Sequence, residues 1–229
     1  MQHEFRTSGD SDPATEVLAA PPDNARVSAG TRLRALLPAG VQMPATGRWA
    51  VAADLLLYLV ETIRDHGPAH VVEVGSGTST CWLAWALETF GISGTVVSLE
   101  HRPEFRARTM NHLRNCGMQH RAEVRLAPLT PVSIDGATYP WYEPEGWNDL
   151  RDCDLLLIDG PPGHTASMAR YPAVPLLGAA LRPGARVVLD DYKRADERQA
   201  VARWRELHPD WHLEEVRHRK GTAVLTVPR

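Results

Sequence analysis

A short apolar run leads into two glycines and small hydroxyl residues in the segment Ala69-His-Val-Val-Glu-Val-Gly-Ser-Gly-Thr-Ser-Thr80. The valines suit a buried strand, and the residues from Trp82 to Thr89 are typical of a following helix. Glycines at such a junction let a ligand approach closely, and the first N–H groups of a helix have no backbone partner. The pattern therefore predicts a ligand site on this turn.

Two classes of cofactor use such a turn, and Glu73 distinguishes them. A dinucleotide site has the spacing G-x-G-x-x-G, but the third glycine position is held here by Thr80. A carboxylate two residues before Gly75 would repel phosphates, whereas it suits a ligand with an ammonium group. S-adenosylmethionine is such a ligand, so the turn favours it over a dinucleotide.

The segment from Glu73 to Ser79 also resembles the first motif of class I S-adenosylmethionine-dependent methyltransferases. In that family this loop wraps the methionine portion of the cofactor. The resemblance implies that the cofactor is bound by Glu73, Gly75, Ser76, Gly77 and Ser79.

Composition limits the alternatives. The chain has 229 residues, enough to bury one large core, and a net charge of -3, which argues against nucleic acid as a partner. Cys81, Cys116 and Cys153 are odd in number and far apart, which predicts reduced thiols and a cytoplasmic protein. No apolar run reaches membrane-spanning length, so no membrane partner is expected. A small-molecule acceptor is expected, and a homo-oligomer is left open.

Three parts of the chain differ in composition. Residues 1–28 are rich in Ser, Asp, Pro and Ala and predict a flexible leader. Residues 29–68 predict a helical segment, with helices over 31–37 and 48–66, and the apolar stripe of the second should pack on the sheet. Residues 69–229 are predicted to form the cofactor-binding domain.

After the glycine turn, strands and helices alternate, which is typical of a parallel sheet with helices on both faces. Thr95–Glu100 reads as the second strand and Pro103–Asn115 as its helix. An acidic residue at this distance from the turn accepts hydrogen bonds from ribose hydroxyls. Glu100, with its neighbour His101, is therefore predicted to bind the adenosine part of the cofactor.

A third strand is predicted over 121–126, and the chain from Thr130 to Asp149 looks irregular. Many methyltransferases have an acidic residue after this strand that contacts adenine, but Ala127 stands here. The aromatic residues between 139 and 147 favour an ordered flap facing the substrate over a packed surface loop.

Two further strands end in carboxylates. Residues 154–159 form an apolar run that ends at Asp159, a helix is predicted over 167–181, and residues 185–191 form a strand that ends at Asp190 and Asp191. Ligands of an open parallel sheet bind at the carboxyl ends of its strands. Because three adjacent carboxylates repel each other unless cations or protons intervene, these residues predict a magnesium or other divalent site.

The second half of the chain, with Asp159-Gly160, His164 and Asp190-Asp-Tyr192, resembles small-molecule methyltransferases. It is similar to the magnesium-dependent catechol and macrolide-sugar O-methyltransferases, in which aspartates after the fourth and fifth strands bind the metal. The resemblance implies a Rossmann-like α/β fold with a seven-stranded, mostly parallel sheet and a C-terminal antiparallel hairpin. It also implies that Asp159 contacts both cofactor and acceptor.

The general base is open at this point. Catechol-type enzymes have a lysine soon after the fourth-strand aspartate, and this chain lacks it. His164 is the nearest candidate because the ordinary pKa of histidine lies near neutrality; the alternative is that it packs on the cofactor. Tyr192 and Lys193 are further candidates at the same edge.

The predicted function is transfer of a methyl group to a hydroxyl of a small molecule, a sugar or a phenol, assisted by a metal. Three alternatives remain: a metal-free N- or C-methyltransferase, an NAD-dependent oxidoreductase, and a cofactor-binding regulatory module without turnover. The missing third glycine and Glu73 argue against the oxidoreductase.

Overall fold

The computed structural model describes residues 27–45 and 51–229. The predicted leader lies almost wholly outside the described residues, and so do Arg48 and Trp49 at the start of the second predicted helix. Within the described part of the chain, no helix is long and apolar enough to cross a membrane.

The sheet has seven strands in the order β3-β2-β1-β6-β7-β9-β8. All neighbouring pairs are parallel except those made by β9, which is antiparallel to both β7 and β8. This confirms the predicted fold class and its C-terminal hairpin. The strands of this sheet are β1 (His70–Val74), β2 (Thr95–Glu100), β3 (Ala122–Leu126), β6 (Cys153–Ile158), β7 (Leu181–Leu189), β8 (His212–Val216) and β9 (Thr222–Thr226).

Helices cover both faces of the sheet. One buried cluster joins the sheet to α1 (Ala29–Leu36), α2 (Ala53–His66), α3 (Thr78–Thr89) and α4 (Pro103–Asn115). The other joins it to α5 (Ala173–Leu177), α6 (Ala195–Leu207) and a separate hairpin. The apolar stripe of α2 is buried, as its spacing predicts, with Leu55, Leu56 and Ile63 fully inaccessible. The helices therefore hold the sheet from both sides and leave the carboxyl ends of its parallel strands at one edge.

Residues 130–149 are more regular than the sequence predicts. They contain strands β4 (Leu129–Ile134) and β5 (Ala137–Tyr142), which pair antiparallel as a second, two-stranded sheet. Pro131 faces Pro140 in this pairing, and two residues without N–H groups make the segment look irregular. Tyr139, Trp141 and Tyr142 are buried in the core. The predicted order is present, and these three aromatics pack in the core; that the segment faces the substrate stays a prediction.

The prediction of a long helix over 167–181 is wrong. The chain forms only the five-residue α5, a 3-10 turn over Gly178–Ala180, and then the start of β7 at Leu181. Proline at 172 and 175 removes backbone donors, so a long helix cannot be continued here. The chain before α5 is left as an irregular segment that runs along the carboxyl edge of β6 and β7.

Candidate active site

The glycine turn lies against the end of β6. Gly75 has φ +96, a conformation that side chains rarely adopt, and a Cβ atom there would lie 3.0 Å from the Gly160 backbone nitrogen. The Asp159 amide donates to the Val74 carbonyl over 3.0 Å, which fixes the two strand ends together. This contact brings the predicted cofactor turn beside the predicted acceptor-side aspartate.

Gly77 differs from Gly75 although both belong to the turn. Its φ of 168° is extended backbone, and a Cβ atom there would meet nothing within 4 Å. Its amide donates to Thr80 Oγ1 over 2.9 Å at the start of α3. Gly75, Ser76 and Gly77 are partly exposed, whereas Ser79 is buried under the turn. The open side of the turn is thus formed by Gly77 and its neighbours.

Glu73 lies beneath this turn rather than on its open side. The side chain is fully buried, and Oε2 accepts hydrogen bonds from Thr80 Oγ1 at 2.5 Å and Ser98 Oγ at 2.6 Å. Burial raises the pKa of Glu73, against hydrogen bonds from Ser79, Ser98 and Thr80 that lower it. Glu73 therefore ties β1, β2 and α3 together, and its contact with the cofactor ammonium group stays a prediction.

Glu100 is held at the end of β2 by its neighbours. Its Oε2 accepts a hydrogen bond from Ser76 Oγ at 3.0 Å, and Oε1 accepts one from the Arg102 amide at 3.0 Å and lies 3.2 Å from His101 Nδ1. Burial raises the pKa of Glu100, but the contact with His101 and hydrogen bonds from Arg102 and Ser76 more than offset it and hold the pKa below its usual value. The carboxylate is therefore ionised and fixed, as an acceptor for ribose hydroxyls must be.

The three predicted carboxylates do converge. Asp159 follows β6, while Asp190 and Asp191 follow β7, and one oxygen from each lies within 4.8 Å of the others. Asp190 and Asp191 are buried and Asp159 is partly exposed. The convergence of the three carboxylates is confirmed, and the divalent metal stays a prediction. Among the described residues, basic side chains also bring positive charge to this cluster.

The first of these basic side chains is Arg170, which lies on the irregular segment before α5 and is 4% exposed. Its Nη2 lies 3.0 Å from Asp191 Oδ2 and 3.3 Å from Asp159 Oδ1, and its Nη1 donates to the Asp190 carbonyl over 3.1 Å. Glu197 Oε1 lies 3.7 Å from the same guanidinium. Arg170 therefore sits among the carboxylates as an internal counter-ion.

The second basic side chain is Lys220, which lies in the turn between β8 and β9. Its Nζ lies 3.2 Å from Asp190 Oδ2 and 3.4 Å from Asp191 Oδ1. Arg194 adds a contact of 2.9 Å to Asp191 Oδ2. These cations bond to the oxygens that a metal would need, so the residues present do not fit an obligatory divalent ion.

Three basic side chains of the site cannot be recognised from the sequence: Arg170, Arg194 and Lys220. Most arginines and lysines are exposed, and nothing local marks a buried one. Lys220 is also far in sequence from its partners, since it follows Asp191 by a helix and a strand.

Burial raises the pKa of Asp159 to about 7, while Arg170 opposes that rise and Asp190 adds to it. An acid with this pKa exchanges its proton near neutral pH, which is what a general base for a hydroxyl requires. The pKa of Asp159 therefore suits the catalytic role that the sequence predicts for this residue.

His164 is exposed on the loop after β6. Among the described residues, the basic groups that contact the three aspartates are Arg170, Arg194 and Lys220, not His164. Two other candidates have their own contacts: Tyr192 donates to Glu215 Oε1 over 3.1 Å, and Lys193 donates to the Arg219 carbonyl over 2.8 Å. The role of His164 stays a prediction.

Tyr142, on β5, also reaches this edge. It is 1% exposed, and its hydroxyl finds no hydrogen-bond partner among the described residues. A Cβ atom on Gly160 would lie 2.5 Å from that oxygen. Tyr142 therefore packs over the junction of the glycine turn and the end of β6, a position that the irregular appearance of its sequence conceals.

A mostly parallel sheet with a glycine turn after β1 and an ionised carboxylate at the end of β2 is typical of a Rossmann-like protein that binds an adenosine cofactor. The sequence profile of the family described as Methyltransferase domain matches residues 72–192. The chain belongs to this family and is a class I S-adenosylmethionine-dependent methyltransferase. No curated protein matched the chain.

Solved structures share the fold. An O-methyltransferase from Bacillus cereus, in complex with SAH, is 18% identical and covers 80% of this chain and 84% of its own, with a TM-score of 0.59. TomG from Streptomyces achromogenes, an O-methyltransferase of tomaymycin synthesis in complex with SAM, is 18% identical over 79% and 82% with a TM-score of 0.57. Cofactor-bound Rv0187 from MTB is 25% identical over 82% and 84% with a TM-score of 0.53.

Proposed function

We propose that this protein transfers the methyl group of S-adenosylmethionine to a hydroxyl group of a small molecule. The observation that carries the proposal is the contact between Gly75 and Gly160, which puts the glycine turn beside Asp159. The similar structures from Bacillus cereus and Streptomyces achromogenes are O-methyltransferases, which supports oxygen as the acceptor atom.

The residues of the turn fit the cofactor. Gly77 leaves open space on the exposed side of the turn, and Glu100 is an ionised, fixed acceptor at the next strand end. Gly77, Ser76 and the α3 N-terminus would hold the methionine portion, and Glu100 with His101 would hold the ribose. When bound, the cofactor supplies an already activated methyl group, so the protein has only to position and deprotonate the acceptor.

Asp159 is the group proposed to receive the acceptor proton. It is partly exposed at the sheet edge, and its pKa of about 7, raised by burial, leaves much of it ionised at neutral pH. Protonation of Asp159 also relieves the repulsion from Asp190 and Asp191. The divalent metal predicted from the sequence is not part of this proposal, because Arg170 and Lys220 already neutralise these carboxylates.

The test is transfer of a radiolabelled methyl group from S-adenosylmethionine to matched acceptors. Catechol and sugar hydroxyls would be compared with amines of the same skeleton. The proposal expects label in the hydroxyl acceptors and its loss in Asp159→Asn. Label only in amines would replace oxygen by nitrogen as the acceptor atom.

A further inference from the structure

The acidic cluster of Asp159, Asp190 and Asp191 lies where the sequence predicts a divalent cation, but the chain brings three of its own cations to it, Arg170, Lys220 and Arg194. The inference drawn from this rests on the proposed function, since it concerns how the same site handles charge. Arg170 and Lys220 are held in the cluster by different contacts.

Arg170 is fixed by contacts on several sides. Besides its bonds to Asp159 and Asp191, Nη1 donates to the Asp190 carbonyl and Nε donates to the Pro161 carbonyl over 3.4 Å. A buried guanidinium with this many acceptors cannot leave without stranding buried carboxylates. Arg170 therefore remains among the aspartates in any state that preserves the fold.

Lys220 is anchored through its backbone. The Lys193 amide donates to the Lys220 carbonyl over 3.0 Å, and the Tyr192 amide donates to the Gly221 carbonyl over 3.1 Å. Gly221 has φ +75, and a Cβ atom there would lie 3.0 Å from the Lys193 backbone nitrogen. This tight turn aims the Lys220 ammonium at the two aspartates that directly precede Tyr192.

The oxygens that Asp190 and Asp191 would offer a metal are occupied. Asp190 Oδ1 accepts from the Asp191 amide over 2.7 Å, and Asp190 Oδ2 lies against Lys220. Asp191 Oδ2 lies against Arg170 and Arg194. A divalent ion would have to displace Lys220 and would then face the Arg170 guanidinium across a short, poorly screened distance.

We propose that Arg170 and Lys220 take the place of a divalent cation in this methyltransferase. Arg170 is the inner, structural counter-ion. Lys220, whose side chain is 21% exposed, is the outer one and presents positive charge to the edge of the sheet where the acceptor oxygen is expected. The acceptor is then bound by the protein's own charges.

The test is titration of the chelator-treated protein with Mn²⁺, followed by the electron paramagnetic resonance signal of the free ion. Wild type should show no saturable site. Lys220→Met removes the outer cation and should bind one Mn²⁺ at least about tenfold more tightly than wild type, because a unit positive charge is lost beside two carboxylates.

Two controls are matched to Lys220→Met: one makes the same substitution at another lysine, and the other changes Lys220 but keeps its charge. Lys193, the only other lysine of the chain, donates outside the cluster, so Lys193→Met should behave like wild type. Lys220→Arg keeps the charge and should also bind no Mn²⁺. Circular dichroism and S-adenosylhomocysteine binding by each variant show whether it is folded.

Saturable 1:1 binding of Mn²⁺ by wild type, lost in Asp190→Asn, would overturn the proposal, and this arm does not depend on how Lys220→Met folds. Equal, absent binding by wild type and a folded Lys220→Met would overturn the assignment to Lys220. Failure of the proposed function would look different, since hydroxyl acceptors would then take up no methyl label, whatever the result with Mn²⁺.

Discussion

Replacing Gly75 by alanine tests the geometry of the glycine turn. A non-glycine residue at φ +96 is strained by about 1–3 kcal/mol, and the new Cβ atom would lie 3.0 Å from the Gly160 nitrogen, a backbone atom that cannot rotate away. Overpacking of this kind adds about 1–3 kcal/mol. Gly75→Ala should therefore lower the free energy of unfolding by about 2 kcal/mol or more, measured by urea denaturation.

Gly77→Ala is the matched control, since it makes the same change two residues away. Its extended φ of 168° and empty surroundings predict a change in the free energy of unfolding within about 0.5 kcal/mol. Because its methyl group would enter the space proposed for the cofactor, Gly77→Ala should instead weaken S-adenosylhomocysteine binding. Equal losses of stability in the two variants, or none in Gly75→Ala, would show that the positive φ and the close approach to Gly160 do not require glycine at position 75.

Other changes test the remaining parts of the site. Glu100→Gln should weaken S-adenosylhomocysteine binding by about tenfold in a calorimetric titration, because hydrogen bonds to a charged acceptor contribute about 1.5–3 kcal/mol each; unchanged affinity would remove Glu100 from the site. Arg170→Met should cost about 3–5 kcal/mol in urea denaturation, since it strands buried carboxylates; a loss below about 1 kcal/mol would show that they are neutralised otherwise. Burial raises the pKa of Asp159 from 3.8 to about 7, so its contribution to stability is full below pH 3.8 and is lost as pH rises through about 7. Asp159→Asn should therefore flatten the decline of the unfolding free energy between these pH values, and parallel curves would contradict the shift. Tyr142→Phe removes a buried hydroxyl without a partner among the described residues and should raise the free energy of unfolding by about 1 kcal/mol, whereas a loss of that size would reveal a hidden partner.

Local patterns predict the sheet and its ends well. The valine run before Gly75 and the apolar run before Asp159 become neighbouring parallel strands, β1 and β6, and both end at the same edge. Parallel strands buried on both faces leave a continuous apolar signal, and the polar residues that follow them mark the site. The convergence of the three aspartates follows from this rule.

Other features depend on contacts that local sequence does not encode. Arg170 and Lys220 meet the aspartates from distant elements, and an arginine or lysine in a sequence is expected to be exposed. The pairing of Pro131 with Pro140 hides the β4–β5 hairpin, and the full burial of Glu73 beneath the turn is not evident from its place in the sequence. Tertiary packing decides each of these positions.

Calorimetric titration of the wild-type protein with S-adenosylhomocysteine tests most directly the claim that the glycine turn and Glu100 form a cofactor site. The wild-type protein should bind S-adenosylhomocysteine saturably and 1:1 without added metal. Absence of binding by the folded protein would contradict it.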